Sequence, residues 1–242
     1  MGYVTVDALG RGSPITRVQS LTLALAGAAL LAAAPPQPTQ PYDSVRAERA
    51  VRAAELLAGL GDCRPVSKGH FRSDRGARAD IPVCGTRDVV FWKADMDIDC
   101  DGRAGPRCNG RTDPYYQPTT AFRQSDGRYL SAETLPFVVV PAPSGIWDHR
   151  AHGVRGGSVA AVVHRDRVQY AVVGDTGPRD VIGEASYATA EALGLSPDPR
   201  TGGARDGVTY IVFKNSRVTP IEDHRQAVDQ GEALARAFLR RQ

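Results

Sequence analysis

Between Ser158 and Leu193 the chain reads SVAAVVHRDRVQYAVVGDTGPRDVIGEASYATAEAL. Two runs rich in β-branched residues, Ser158 to Val163 and Val168 to Val173, flank His164 to Arg167 and read as a β-hairpin. The second run ends in Gly174-Asp175-Thr176-Gly177-Pro178, a cluster of turn formers. Ala185 to Leu193 then has helical composition and stops at Gly194, with Pro197 close behind. Strand, hairpin, strand and helix in such close succession predict an α+β, β-rich domain. Outward from this stretch, Arg87 to Lys93, Phe137 to Val140 and Val208 to Phe213 read as further short strands. Helices are expected at both ends. Ser44 to Leu60 carries Ala47, Ala50, Val51, Ala54, Leu57 and Ala58 at helical spacing, capped by Ser44 and stopped by Gly61. Ile221 to Arg240 turns Ala227, Val228, Leu234, Ala235 and Phe238 inward.

The start of the chain points to a compartment. Leu21 to Ala34 is an uncharged run of leucine, alanine and small residues, too short for the ~20 apolar residues that span a bilayer. Residues 1–34 therefore read as a secretory signal peptide, 35–41 (PPQPTQP) as a linker, and 42–242 as the folded domain. Four cysteines, Cys63, Cys84, Cys100 and Cys108, suit two disulfides in an exported protein. Three pairings are possible. The short loop CDGRAGPRC favours Cys100 with Cys108, leaving Cys63 for Cys84, and spacings that are not CxxC argue against zinc. With 30 basic and 27 acidic residues interspersed along 242 positions, no phosphate-binding face is expected, so nucleic acid is excluded as a partner.

Two acidic motifs carry the chemistry. In the first, Asp175 falls at a strand end and Glu184, in Ile182-Gly183-Glu184-Ala185-Ser186, at the start of the following helix, with small residues leaving both carboxyls open. Two carboxylates on separate elements are what glycoside hydrolysis uses, one donating a proton to the leaving oxygen and one serving as base or nucleophile. The competing structural reading makes Asp175 a turn residue and Glu184 a helix N-terminal acid. In the second motif, DMDIDCDG, the series Asp97, Asp99, Asp101, Gly102 imitates half a calcium loop. Position 12 is Cys108 rather than glutamate, so no metal is expected. On a strand, Asp95, Asp97, Asp99 and Asp101 would form one row, Met96 and Ile98 facing away. Such a row needs cations, from an amino-sugar polymer or from neighbouring arginines. His149 and His152 lie in a loop-like DHRAHGVRGG and read as solvated. Trp92, Trp147, Tyr115, Tyr116 and Tyr187 are candidates for sugar stacking or for the core. There is no G-x-S-x-G elbow and no phosphate loop.

DMDIDCDG together with VVGDTGP and IGEASYATAEALG resembles glycoside hydrolase family 75, the chitosanases known from fungi, over roughly Cys63 to Phe213. The resemblance implies endo-hydrolysis of the β-1,4 bonds of chitosan with inversion, without a cofactor, by a protein exported from the cell. It carries the catalytic roles onto Asp175 and Glu184. Fungal members tend to have a longer insert between these positions, where this chain has TGPRDVIG. The strand, D-x-G and G-x-acid arrangement is also similar to double-psi β-barrel enzymes. It predicts a small six-stranded barrel with flanking helices, ahead of a lysozyme-like fold. The expected partner is chitosan or a related amino-sugar polymer, bound through Asp95, Asp97, Asp99, Asp101, Thr176 and Tyr187 by a secreted monomer, with no membrane association after signal cleavage. Glu184 is the expected acid and Asp175 the base, their carboxyls ~6.5–9.5 Å apart to admit a water. The alternatives are a non-catalytic polysaccharide- or wall-binding barrel and a peptidoglycan-lytic enzyme.

Overall fold

A computed structural model describes residues 50–242 of the chain. The signal segment 1–34, the linker 35–41 and the Ser44 cap lie outside the described residues. Within them the strands are β1 (Cys84–Gly85), β2 (Val89–Asp99), β3 (Phe137–Pro141), β4 (Val159–His164), β5 (Arg167–Gly177), β6 (Glu184–Ser186) and β7 (Ala204–Phe213). The helices are α1 (Ala53–Leu60), α2 (Tyr187–Ala192) and α3 (His224–Leu239), with a 3-10 turn at His149–His152. Strand order β2-β6-β3-β5-β4-β7, with β7 pairing back onto β2, closes a six-stranded barrel, and β1 is an extra strand on β2. The fold is α+β and β-rich, as the hairpin reading predicts, and the lysozyme-like alternative falls away. Two pairs, β2 with β6 and β3 with β5, are parallel; the remaining barrel pairs are antiparallel.

Closure turns apolar side chains from every strand into one core. Trp92 and Tyr210 are fully buried and stack with ring centroids 5.2 Å apart. Two large rings from the closing pair β2 and β7 thus fill the interior that a small barrel must fill with side chains. On the outside, α3 lays Ala227, Gly231, Ala235 and Phe238 inward. Gly231 meets the Tyr170 ring so closely that any Cβ would collide with it, and the Tyr170 hydroxyl donates to Glu232 at 2.9 Å.

Three element readings change. α1 begins at Ala53, and its buried residues are Ala53, Leu56 and Leu60, while Ala54 and Ala58 are exposed. The larger leucines, with more area to remove from water, set the inward face. β2 continues six residues beyond Lys93, through the acidic motif, because the backbone of Asp97 to Asp99 finds a partner in β6. β5 runs to Gly177 rather than stopping at Val173. The disulfides join Cys63 to Cys84 and Cys100 to Cys108. The second closes the loop that starts directly after β2.

Candidate active site

The acidic residues are brought together by two irregularities in the barrel. Between Ala94 and Met96 the register of β2 on β7 shifts, with Ala94 opposite Val208 and Met96 opposite Ala204. Asp97, Ile98 and Asp99 then pair in parallel with Glu184, Ala185 and Ser186 of β6. Asp97 and Glu184 are thereby neighbours across a strand pair. On β5, Val173 lies opposite Val138 and Asp175 opposite Val139, so Gly174 is an extra residue, a β-bulge of the kind that re-aims a side chain. A Cβ on Gly174 would lie 2.6 Å from the Phe137 side chain, so the bulge requires glycine there.

Asp175 is therefore inside the end of a strand, and Glu184 opens strand β6 instead of a helix. Ser186 is the N-cap of α2, which removes the reading of Glu184 as a helix-terminal acid. Gly183 holds φ +128°, a conformation open to glycine, and its Cα faces Asp95 Oδ1 with no room for a side chain. Gly177 does the same for Glu184: a Cβ there would sit 2.6 Å from Glu184 Oε2.

The row of four aspartates does not form. β2 ends at Asp99, and Asp101 sits in the following turn before Gly102, whose φ is +105°. The carboxylates instead divide into two triplets, each with oxygens within 4.8 Å of one another: Asp99, Asp101 and Asp175, and Asp74, Asp95 and Asp97. Either set offers only hard oxygen donors, suited to a cationic group. In the first triplet the backbone grips each acid. Asp175 Oδ1 accepts from the amides of Ala121 and Thr176, both at 2.7 Å. Asp99 Oδ1 accepts from the Asp101 amide and Asp101 Oδ1 from the Gln117 amide, each at 2.6 Å. Among the described residues no arginine or lysine forms an ion pair with any of these six acids or with Glu184. Arginines thus do not supply the countercharge.

Crowded like charges in a partly dry site hold protons. Burial, then the charges of Asp97, Asp101, Asp175 and Asp95, push Glu184 up to about 7. Burial raises Asp175 only to about 6, because the Ala121 and Thr176 amides stabilise its anion. Asp101 also reaches about 6 through burial, offset by the Gln117 amide, and Asp99 is driven well above the usual carboxylate range by burial and by Asp101. Two carboxyls with different affinities for a proton, one anchored and one not, can act as base and acid at the same pH.

Other candidates fall elsewhere. Trp92 and Trp147 are core residues; Tyr187 is buried under the Arg107 guanidinium, 5.3 Å from its ring centre. Tyr116 donates its hydroxyl to Gly102 O, while Tyr115 is 84% exposed. The Thr176 amide serves Asp175, and Thr176 lines, with Ala121, His149, Arg155 and Arg217, a depression next to that carboxyl. His149 and His152 are not solvated: His149 Nδ1 bonds Val154 O at 2.9 Å and Trp147 Nε1 donates to His152 Nδ1 at 3.0 Å. Asp74 escapes a sequence reading altogether, since a lone aspartate in a loop carries no spacing signal. The Ala121 and Gln117 amides escape it for the same reason.

Residues 96–237 match the family described as "Fungal chitosanase of glycosyl hydrolase group 75". The chain belongs to glycoside hydrolase family 75. The match starts later than Cys63 and runs past Phe213 into α3, so Asp97, Asp99, Asp101, Asp175 and Glu184 lie inside it and Asp74 and Asp95 before it. Among curated relatives of the family 75 domain, Endo-chitosanase C of Aspergillus oryzae is 32% identical over 157 residues, 63% of this chain and 38% of that protein. An endo-chitosanase of Aspergillus fumigatus is 29% identical over 179 residues, 66% of this chain and 74% of the relative. Another from A. oryzae is 33% identical over 140 residues, 52% and 56% of the two chains. The chain thus spans between about a third and three quarters of the curated relatives it matches.

Proposed function

We propose that this chain is a secreted endo-chitosanase acting with inversion, Glu184 as general acid and Asp175 as general base. The observation that carries the reading is the convergence of seven carboxyls with no ion-paired cation among the described residues. A polymer with an ammonium group on its sugars supplies the missing charge, and its sugar hydroxyls donate to the carboxylates around it. Protonated Glu184 gives its proton to the glycosidic oxygen as that bond to the anomeric carbon breaks. Asp175, ionised and held by two amides, takes a proton from a water that attacks the same carbon from the opposite face. The product hemiacetal has inverted configuration, Glu184 is left ionised and Asp175 protonated, and exchange with solvent resets both. The two disulfides suit an oxidising compartment.

The test is reducing-end release from chitosan, chitin, cellulose and peptidoglycan side by side. Release from chitosan alone is expected, with kcat/KM rising as Asp175 ionises near 6 and falling as Glu184 ionises near 7. Binding of chitosan without release would favour the non-catalytic barrel, and release from peptidoglycan alone the lytic alternative.

A further inference from the structure

The second acidic triplet lies outside the catalytic pair, and its side-chain hydrogen bond among the described residues is from the neighbouring Ser73 hydroxyl to Asp74 Oδ2 at 3.1 Å. Asp95 is only 7% exposed, yet its Oδ1 is buried with no hydrogen-bond partner among the described residues. A buried carboxylate oxygen left without a donor keeps the full cost of its desolvation, so its persistence calls for a partner that arrives from outside. Asp97 and Asp74, both exposed, bring carboxylate oxygens within 4.8 Å of the Asp95 carboxyl. Asp74 is delivered by a loop that the fold pins in place. Phe71 is fully buried and pairs with Ile81. The Arg72 amide donates to Asp180 O at 2.9 Å and the Ile182 amide to Arg72 O at 3.0 Å. This clamp sets Asp74 beside the strand entry at Gly183, one residue before Glu184. Arg72, two residues before Asp74, is committed elsewhere, to Ala77 O and to Asp180, and among the described residues Arg75, the next in sequence, forms no ion pair with the triplet.

We infer that Asp74, Asp95 and Asp97 form a seat for the single ammonium group of the glucosamine unit lying on the Glu184 side of the scissile bond, and that Asp74 sets the preference for glucosamine over N-acetylglucosamine there. The inference rests on the endo-chitosanase reading above. Three carboxylate oxygens spaced within 4.8 Å match the three N–H bonds of one ammonium, each accepting one. An acetamide at the same place offers one N–H and a methyl group, leaving carboxylate oxygens without donors, and rejection by unpaired buried polar groups is the strong form of discrimination. A seat beside the proton donor also reports an occupied site through charge: a bound ammonium offsets the repulsion that Asp97 and Asp95 exert on Glu184.

The experiment digests a partly acetylated chitosan with the full chain and identifies, by mass spectrometric sequencing of the products, the sugars on either side of each cut. In the wild type, one side of the cut is glucosamine almost without exception. In Asp74→Asn that side admits N-acetylglucosamine towards its abundance in the substrate, and KM for fully deacetylated chitosan rises about tenfold with a smaller change in kcat. Asp74 is on the surface, so the variant folds, and an unchanged melting curve checks this. Cut sites that follow substrate composition in the wild type, or stay the same in Asp74→Asn, overturn the seat while leaving the endo-chitosanase reading intact. A calcium-dependent change in the melting curve of the wild type that Asp74→Asn removes would mean the triplet binds a metal ion, and would overturn the ammonium seat as well. A wild type that releases no reducing ends from chitosan overturns both readings together.

Discussion

The two acidic triplets are built from the same residue type and both draw on β2, yet they are held in opposite ways. Asp99, Asp101 and Asp175 each accept one or two backbone amides, so their positions are fixed before any substrate arrives. In the other triplet Asp74 accepts from the Ser73 hydroxyl, and among the described residues Asp95 keeps a buried oxygen unpaired. An anchored carboxylate is pre-organised for chemistry on a defined atom. An unanchored one waits for a donor and is stabilised by binding. Glu184 stands between them, paired across the strands with Asp97 and in the electrostatic field of Asp101 and Asp175.

The sharpest way to break this contrast is to remove one of the two proton carriers. Asp175→Asn and Glu184→Gln should each lower kcat about a thousandfold or more while chitosan binding survives, measured by turnover and by equilibrium binding of the polymer. Azide should restore the base variant alone, giving a glycosyl azide of inverted configuration, and so tell the two roles apart. Near-full activity in both variants would end the assignment of this pair. A smaller loss is expected from Gly177→Ala. A Cβ 2.6 Å from Glu184 Oε2 must displace the carboxyl, and a misplacement of about 1 Å costs on the order of a hundredfold in turnover, with little change in melting temperature.

The mildest effect concerns stability and tests the unanchored side. Burial and the charges of Asp97 and Asp74 raise Asp95 to about 7 in the folded protein, above the ~3.9 of an unfolded chain. The native state therefore binds the proton more tightly. Its stabilising effect is complete below the unfolded value and is lost as pH rises through about 7. Asp95→Asn should raise the melting temperature by several degrees at about pH 8 and leave it unchanged below about pH 4. An equal effect at both ends of the pH range would place the cause in packing and not in charge.

Much of this arrangement is legible in the sequence, and the remainder is hidden for identifiable reasons. The hairpin of β4 and β5 and the strand β7 follow from their β-branched runs, and α3 from its inward stripe. Asp175 and Glu184 stand out because glycine surrounds both. What periodicity misreads is the acidic stretch of β2. Alternation alone places Asp95 to Asp101 in one row, but a register shift and the end of the strand at Asp99 split it, and those depend on partners in β6 and β7 far along the chain. Glu184 reads as a helix start because IGEASYATAEAL has helical composition. Three residues of it are claimed as a strand by pairing with β2, a tertiary demand that outweighs local propensity. Asp74 is invisible because only folding of the loop from Phe71 to Ile81 brings it near the others.

The seam that closes the barrel has a consequence for how the molecule comes into being. The Tyr210 hydroxyl donates to the Asp95 carbonyl across 115 positions of sequence, and the β2 to β7 pairing joins segments equally remote. Contacts between such distant segments require closing a large loop first, which slows folding. During that time Asp74, Asp95, Asp175 and Glu184 belong to separate, hydrated stretches that do not feel one another. Mutual repulsion enters the energy only as β2, β5, β6 and the Asp74 loop come together.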